Sequence, residues 1–226
     1  MCRPGGIGVR RRHRPRQHRQ PGRVDGEKAT EDAFARCLGR FGKIDGLVAV
    51  AGGSGRRFGD GPLHDVPLEG WESTARINGH PSFLASREAV RAMRTQEPNT
   101  SGTRGSVILI SSVLATHPSP SLFSTHAYAA AKGAQISLGL TMAATYAPDL
   151  IRVNVVCPGL VDTPMAARAV ADPASVRFAE TKQPLAAGFL APDDVADTAL
   201  YLLSDKARRV TGQVIAVDGG WSVTEA

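Results

Sequence analysis

Apolar residues recur along this chain in two alternating rhythms. Ala33, Phe34, Cys37, Leu38 and Phe41 fall at i, i+1, i+4, i+5 and i+8, one stripe of a helix that Gly42 ends. The short unbroken run Ile44–Val50 follows, stopped by Gly52-Gly53, and such a run suits a parallel strand buried on both faces. Beyond a Gly/Pro loop over 52–67, Trp71, Ala75, Phe83, Leu84, Ala89, Val90 and Met93 predict a helix from about 68 to 94. An interruption is expected near Asn78-Gly79-His80-Pro81. Pro81 cannot donate to the carbonyl four residues back, so it should kink the helix.

The alternation continues to the end of the chain. Ser106–Ser112, Ile151–Cys157 and Val214–Val217 read as strands. Pro118 and Pro120 lie in a loop, and His126–Tyr146 is an Ala-rich helix. Pro192, with Asp193 and Asp194 in the first turn, opens a helix through Leu203. Residues 163–190 are mixed and are expected to form a flexible lid. Strands alternating with helices argue βαβ units and a parallel sheet covered on both faces. In such sheets the ligand crevice lies at the carboxyl ends of the strands. Ala51-Gly52-Gly53, Ser111-Ser112, Pro158-Gly159 and Asp218-Gly219-Gly220 all fall there.

A length of 226 residues suits one such domain. Charge then divides the chain. Residues 1–23 hold eight arginines and no acid, so the net charge of +6 comes from this end and the remainder sums to −2. Prolines and glycines break any helix there, and we expect an irregular Arg-rich arm over 1–23 followed by a domain over 24–226. A basic run can bind phosphates without specificity. This arm lacks interleaved aromatic residues, and no nucleic-acid-binding fold is recognised, which argues against nucleic acid as a partner. Cys2, Cys37 and Cys157 are far apart, which excludes a disulfide framework and a Cys-based zinc site and suits a cytoplasmic location. The longest apolar runs, such as Leu47–Ala51 and Val107–Ile110, are too short to span a bilayer.

Candidate chemistry centres on one predicted helix. Tyr128 and Lys132 are four apart and share a face. A phenol near pKa 10 is a poor acid–base group at neutral pH, but a neighbouring cation favours the phenolate and lowers that value. The pair would make a proton donor and acceptor for an alcohol or a carbonyl. The same spacing also occurs on ordinary helices. Ser112 ends a buried strand, where its hydroxyl could donate to a substrate oxygen or simply cap a turn. Asn78, at the expected kink, could hold a water or a local hydrogen bond.

Taken in order, these residues carry a resemblance. Gly42 to Gly52 (GKIDGLVAVAG), Asn78, Ser112, Tyr128-x-x-x-Lys132, Val155 to Thr163 (VVCPGLVDT), and Val210-Thr211-Gly212-Gln213 through Asp218-Gly219-Gly220 resemble the short-chain dehydrogenase/reductase family over residues 24–222. The resemblance implies a single-domain α/β fold, Rossmann-like, with a doubly wound parallel sheet in three αβα layers. It implies an NAD(P)-dependent oxidoreductase that moves hydride between a nicotinamide cofactor, NAD or NADP, and a small-molecule alcohol or ketone. Tyr128 would be the acid/base. Lys132 would lower its pKa and bind the nicotinamide ribose. Ser112 would orient the substrate oxygen, and Asn78 would hold a water linking Lys132 to solvent. Ala51, Gly52, Gly53, Tyr128, Lys132, Pro158, Gly159, Val161 and Thr163 would contact the cofactor. A homodimer or homotetramer is implied too, partly through long helices such as 126–146.

Departures from the pattern matter as well. Ala49-Val50-Ala51-Gly52 stands where the family has Asn-Asn-Ala-Gly, so two amides are lost. Fifteen residues separate Ser112 from Tyr128, about three more than is common, and the extra loop around His117–Ser124 is expected to line the substrate site. Leu114, Phe123 and Met165, with Ser112, are the substrate candidates. Ser111 could replace Ser112, and His126 is expected to be structural. At the amino-terminal end Gly5-Gly6-Ile7-Gly8 resembles part of a phosphate-binding glycine loop, in which Gly6 and Gly8 would touch cofactor, and Asp25 would touch adenine. The βαβ unit around them is expected to be incomplete. Residues 9–23 read as foreign to the family, as a shifted reading frame in a GC-rich gene would produce. The competing expectation is therefore a catalytically impaired relative that acts as an interaction partner.

Overall fold

The computed structural model describes residues 26–225. Four strands, β1 (Gly46–Ala49), β2 (Gly105–Ile110), β3 (Ile151–Pro158) and β4 (Val214–Val217), form one sheet in the order β1-β2-β3-β4. Every pairing is parallel, with Leu47 beside Val107, Val107 beside Val153 and Val155 beside Val214. Seven helices accompany them: α1 (Glu27–Phe41), α2 (Leu68–Arg94), α3 (Pro120–Phe123), α4 (His126–Tyr146), α5 (Ala167–Val170), α6 (Pro173–Lys182) and α7 (Pro192–Leu203).

Side chains of a strand alternate between faces, and here each face has its own core. Val107, Leu109, Val153, Val155 and Cys157 pack with Ala89, Val90 and Met93 of α2 and with Met142 and Ala143 of α4. Ile108 and Val156 point the other way, to Ala199 and Leu202 of α7. The result is a three-layer αβα sandwich, as the alternation of rhythms predicts.

Helix α2 corrects one expectation. It runs unbroken through Pro81. Its buried face includes Leu84, Ala89, Val90 and Met93 of the apolar stripe read from the sequence, but Phe83 is exposed. A second buried row is Gly70, Thr74, Asn78, Ser82 and Ser86, spaced four apart. Thr74 donates to the Gly70 carbonyl at 2.7 Å, Asn78 to Thr74 at 2.9 Å and Ser82 to Asn78 at 3.3 Å. Thr74, Asn78 and Ser82 are thus satisfied by their own helix and can be buried, whereas Ser86 Oγ has no hydrogen-bond partner among the described residues. Helix α4 buries an equivalent row, Ala127, Ala131, Gln135, Gly139 and Ala143. Gln135 Nε2 donates to the Asn78 carbonyl at 2.8 Å, which proves that the two rows meet. Side-chain donors on that carbonyl also occupy the turn that Pro81 disturbs.

Two smaller differences follow from local capping. The segment expected as loop around Pro120 contains the short helix α3, with proline at a position where no N–H is needed. The lid segment is built from α5 and α6, and the Asp172 carboxylate caps α6 by accepting from the amides of Ala174 and Ser175.

Candidate active site

The four strand ends predicted to form a crevice do follow β1, β2, β3 and β4 on one side of the sheet. Helix α4 crosses this side and brings Lys132 to the end of β2. Its ammonium is 4% exposed and donates to the Ile110 carbonyl at 2.8 Å and to Gln135 Oε1 at 3.1 Å. Burial lowers the Lys132 pKa to about 8. Tyr128 lies one turn earlier, its ring centre 5.7 Å from the Lys132 nitrogen.

The Tyr128 phenol differs from the simple expectation of a lowered value. Burial dominates and raises its pKa, while a hydrogen bond with Ser112 opposes the rise. A neutral phenol beside a protonated amine is therefore the resting state at neutral pH. Of the two adjacent serines, Ser112 faces the phenol and also accepts from the Leu114 amide at 3.2 Å. Ser111 turns away and donates to the Lys132 carbonyl at 2.8 Å, tying β2 to α4.

Asn78 projects from α2 onto the loop after β1. Its Oδ1 accepts from the Gly53 amide at 3.1 Å and its Nδ2 donates to the Gly53 carbonyl at 3.0 Å. This pairing anchors the loop even though Ala49 and Val50 replace the two amides. The approach is close: a Cβ on Gly52 would stand 2.6 Å from Asn78 Oδ1 and 3.5 Å from Lys132 Nζ. Glycine is required there for space.

Three residues that the sequence did not single out complete the site. Asp60 is buried in the loop after β1 and accepts from the amides of Ala127 at 2.9 Å and Tyr128 at 3.0 Å, and from the Thr125 hydroxyl. It caps the first turn of α4 from sixty residues away, and a carboxylate is favourable at that end of a helix. Gln183 is fully buried after α6 and clamps Leu160, accepting from its amide at 2.6 Å and donating to its carbonyl at 3.1 Å. It thereby ties the Pro158-Gly159 turn to the lid. Gln135, beside Lys132, is the third. Only Gln135 left a legible trace, because it lies three residues after Lys132 on the same helix face.

The remaining candidates are placed as follows. Ala51 and Gly52 are exposed at the end of β1, and Pro158 and Gly159 follow Cys157 on β3. Val161 forms a parallel bridge with Leu190 across the base of the lid, and Thr163 is half-buried beside it. Leu114 packs against the core. Phe123 meets Phe178 of α6 at 5.8 Å and Trp221 at 6.0 Å between ring centres, so it joins the extra loop to the lid. Met165 is exposed, and the exposed His126 ring makes a 2.8 Å contact with the Gly61 carbonyl. Gly6, Gly8 and Asp25 lie outside the described residues.

A nicotinamide nucleotide fits one specific feature of this arrangement. An ammonium has three N–H donors. Two of Lys132's are taken by Ile110 and Gln135, and the third has no protein acceptor among the described residues, as a cofactor hydroxyl would require. Among the described residues no helix is long and apolar enough to cross a membrane.

Comparison with known proteins agrees with this fold. A family model described as enoyl-(acyl carrier protein) reductase matches residues 16–222. The chain is 39% identical over 201 residues to the inactive 2-(S)-hydroxypropyl-CoM dehydrogenase 2 of Xanthobacter autotrophicus, covering 87% of this chain and 81% of that one. It is 33% identical over 200 residues to the cis-4-hydroxycyclohexanecarboxylate dehydrogenase of Sinomonas cyclohexanicum, covering 88% and 74%. Among solved structures, a short-chain type dehydrogenase/reductase from Mycobacterium ulcerans superimposes with a TM-score of 0.80 at 30% identity, covering 90% of this chain and 69% of that one. A gluconate 5-dehydrogenase from Burkholderia cenocepacia, in complex with NADP and tartrate, gives 0.78 at 27% identity, covering 89% and 74%.

Proposed function

The chain belongs to the short-chain dehydrogenase/reductase family, and we propose that Tyr128, Lys132, Ser112 and Asn78 carry its reaction, NAD(P)-dependent exchange of hydride between an alcohol and a carbonyl. The observation that carries this reading is the buried Lys132 ammonium 5.7 Å from the ring centre of the half-buried Tyr128, with Ser112 beside the phenol. When bound, the nicotinamide supplies or accepts the hydride. In the reducing direction Tyr128 Oη gives its proton to the carbonyl oxygen and is left as a phenolate. The Lys132 ammonium favours that phenolate by its charge. Ser112 donates to the same substrate oxygen and holds it within reach of Tyr128. In the oxidising direction the proton returns to the phenolate.

Asn78 serves through both ends. Its side chain fixes Gly53, so the loop after β1 stays where the cofactor passes. Ala51, Gly52, Gly53, Pro158, Gly159, Val161 and Thr163 are the proposed cofactor contacts within the described residues, and Gly6, Gly8 and Asp25 those beyond them. Leu114, Phe123 and Met165 are the proposed substrate wall. We further read the protein as cytoplasmic and as a homodimer or homotetramer. The exposed Phe83 of α2 and Leu140 of α4 support association through the outer helices.

A second reading is an impaired relative acting as an interaction partner, favoured by the relative that is named inactive. The Ser112, Tyr128 and Lys132 set is complete here and argues for activity. Following absorbance at 340 nm with NAD or NADP and a panel of secondary alcohols separates the two. The enzyme reading expects turnover that Tyr128→Phe removes; no turnover with any alcohol or ketone would favour the second.

A further inference from the structure

Gln135 is 2% exposed, polar and on the buried row of α4, where apolar or small residues otherwise stand. Both ends of its amide are hydrogen-bonded. Its Oε1 accepts from Lys132 Nζ at 3.1 Å. Its Nε2 donates to the Asn78 carbonyl at 2.8 Å and to Ser82 Oγ at 2.6 Å. The orientation of the amide is fixed by its partners: an ammonium can only donate and a carbonyl can only accept, so a flipped amide would lose both ends. We propose that Gln135 is a positioning residue for Lys132, bridging its ammonium to the Asn78 carbonyl through a side-chain amide where the family resemblance implies a water.

Two consequences distinguish an amide from a water. First, the Gln135 oxygen is one of only two protein acceptors on a buried ammonium, so it supports the charged form of Lys132. Second, a carboxamide neither takes up nor releases protons near neutral pH. The bridge therefore favours the cationic form of Lys132 and gives its proton no outlet towards α2. Besides the Ile110 carbonyl, only Cys157 adds support among the described groups facing Lys132. Tyr128, on the same helix, is neutral because burial raises it. Cys157, from the end of β3, is likewise raised by burial and neutral, with Asp218 adding to that rise from beyond β4. Asn78 and Ser82 from α2 and Ser111 and Ser112 after β2 are uncharged.

Lys132's catalytic use rests on the function proposed above, but its titration does not. The test is therefore an NMR titration of the Cε–Hε signals of 13C-lysine-labelled protein, with Lys132 assigned by its loss in Lys132→Met. Wild-type Lys132 is expected to titrate near 8. Gln135→Leu removes an acceptor and should lower the midpoint by roughly half a unit to one unit, whereas Gln135→Glu places a carboxylate there and should raise it. Opposite shifts cannot come from a packing role alone. Unchanged midpoints, or shifts of one sign in both variants, would overturn the proposal. Should either variant fail to fold, the wild type decides: the Gln135 side-chain amide protons should exchange with solvent far more slowly than those of the exposed Gln213, and exchange at the Gln213 rate would overturn it.

Discussion

The centre of the sheet and its β1 flank are built from similar residues and differ sharply in depth. In β2 and β3 the apolar side chains are buried on both faces, and Val107, Ile108, Leu109, Val153 and Val156 are fully enclosed. In β1 only Ala49 is buried, Val50 just beyond it is 63% exposed, and α1 has no buried residue among those described. The candidate chemistry follows the depth. Lys132, Ser112, Cys157 and Asn78 sit at the centre, and a polar group can be buried there because each is hydrogen-bonded into β2, α2 or α4. The flank contributes backbone only, through the close-packed Gly52 and Gly53. A rigid, dry centre sets the charge and position of the acid–base pair, and the flank supplies a surface past which a cofactor can run.

The largest effect should come from removing the acid–base group itself. Tyr128→Phe is expected to lower kcat by roughly a hundredfold or more while leaving cofactor affinity nearly unchanged, read from steady-state rates and cofactor titration. Next is the centre's packing. Leu109→Ala opens a cavity in an enclosed strand and should cost about 2–5 kcal/mol in denaturant unfolding. An equal loss on replacing the exposed Val50 would erase the contrast between the two regions.

Asp60→Ala tests the long-range cap. It removes the acceptor for the Ala127 and Tyr128 amides and should cost about 1–2 kcal/mol of stability, with a fall in kcat because the helix that carries Tyr128 loses its anchor. Stability against pH gives a further, smaller effect. The Lys132 pKa falls from an ordinary 10.5 to about 8 in the folded protein, so the unfolded chain binds more protons between those values. Stability should therefore rise with pH, by about 1 kcal/mol from pH 8 to 9, before the raised Cys157 and Tyr128 work in the opposite sense. Lys132→Met should flatten that rise. Smallest of all, Val50→Thr should change stability by less than about 0.5 kcal/mol.

Periodicity revealed the architecture well where burial is simple. The runs around Val107 and Val153 are apolar on both faces because the strands are covered on both faces. The pattern was incomplete along α2: Leu84, Ala89, Val90 and Met93 are buried as read, but Phe83 is exposed and Thr74, Asn78 and Ser82 are buried as well, because side chains that bond back to their own helix need no apolar stripe. Tyr128, Lys132 and Ser112 were legible because their spacing is local to one helix and one strand end. Asp60 was not, since its partners at Ala127 and Tyr128 become neighbours only through the fold. Gln183 likewise meets Leu160, twenty-three residues earlier, only through the fold.

The central claim is that the buried Lys132 and the half-buried Tyr128 together serve a nicotinamide cofactor bound across the strand ends. It is tested most directly by titrating the wild-type protein and Tyr128→Phe with NADH and NADPH while following nucleotide fluorescence. Saturable binding of at least one nucleotide, of similar affinity in both proteins, is the predicted result. No binding by the folded wild-type protein at millimolar nucleotide would contradict it.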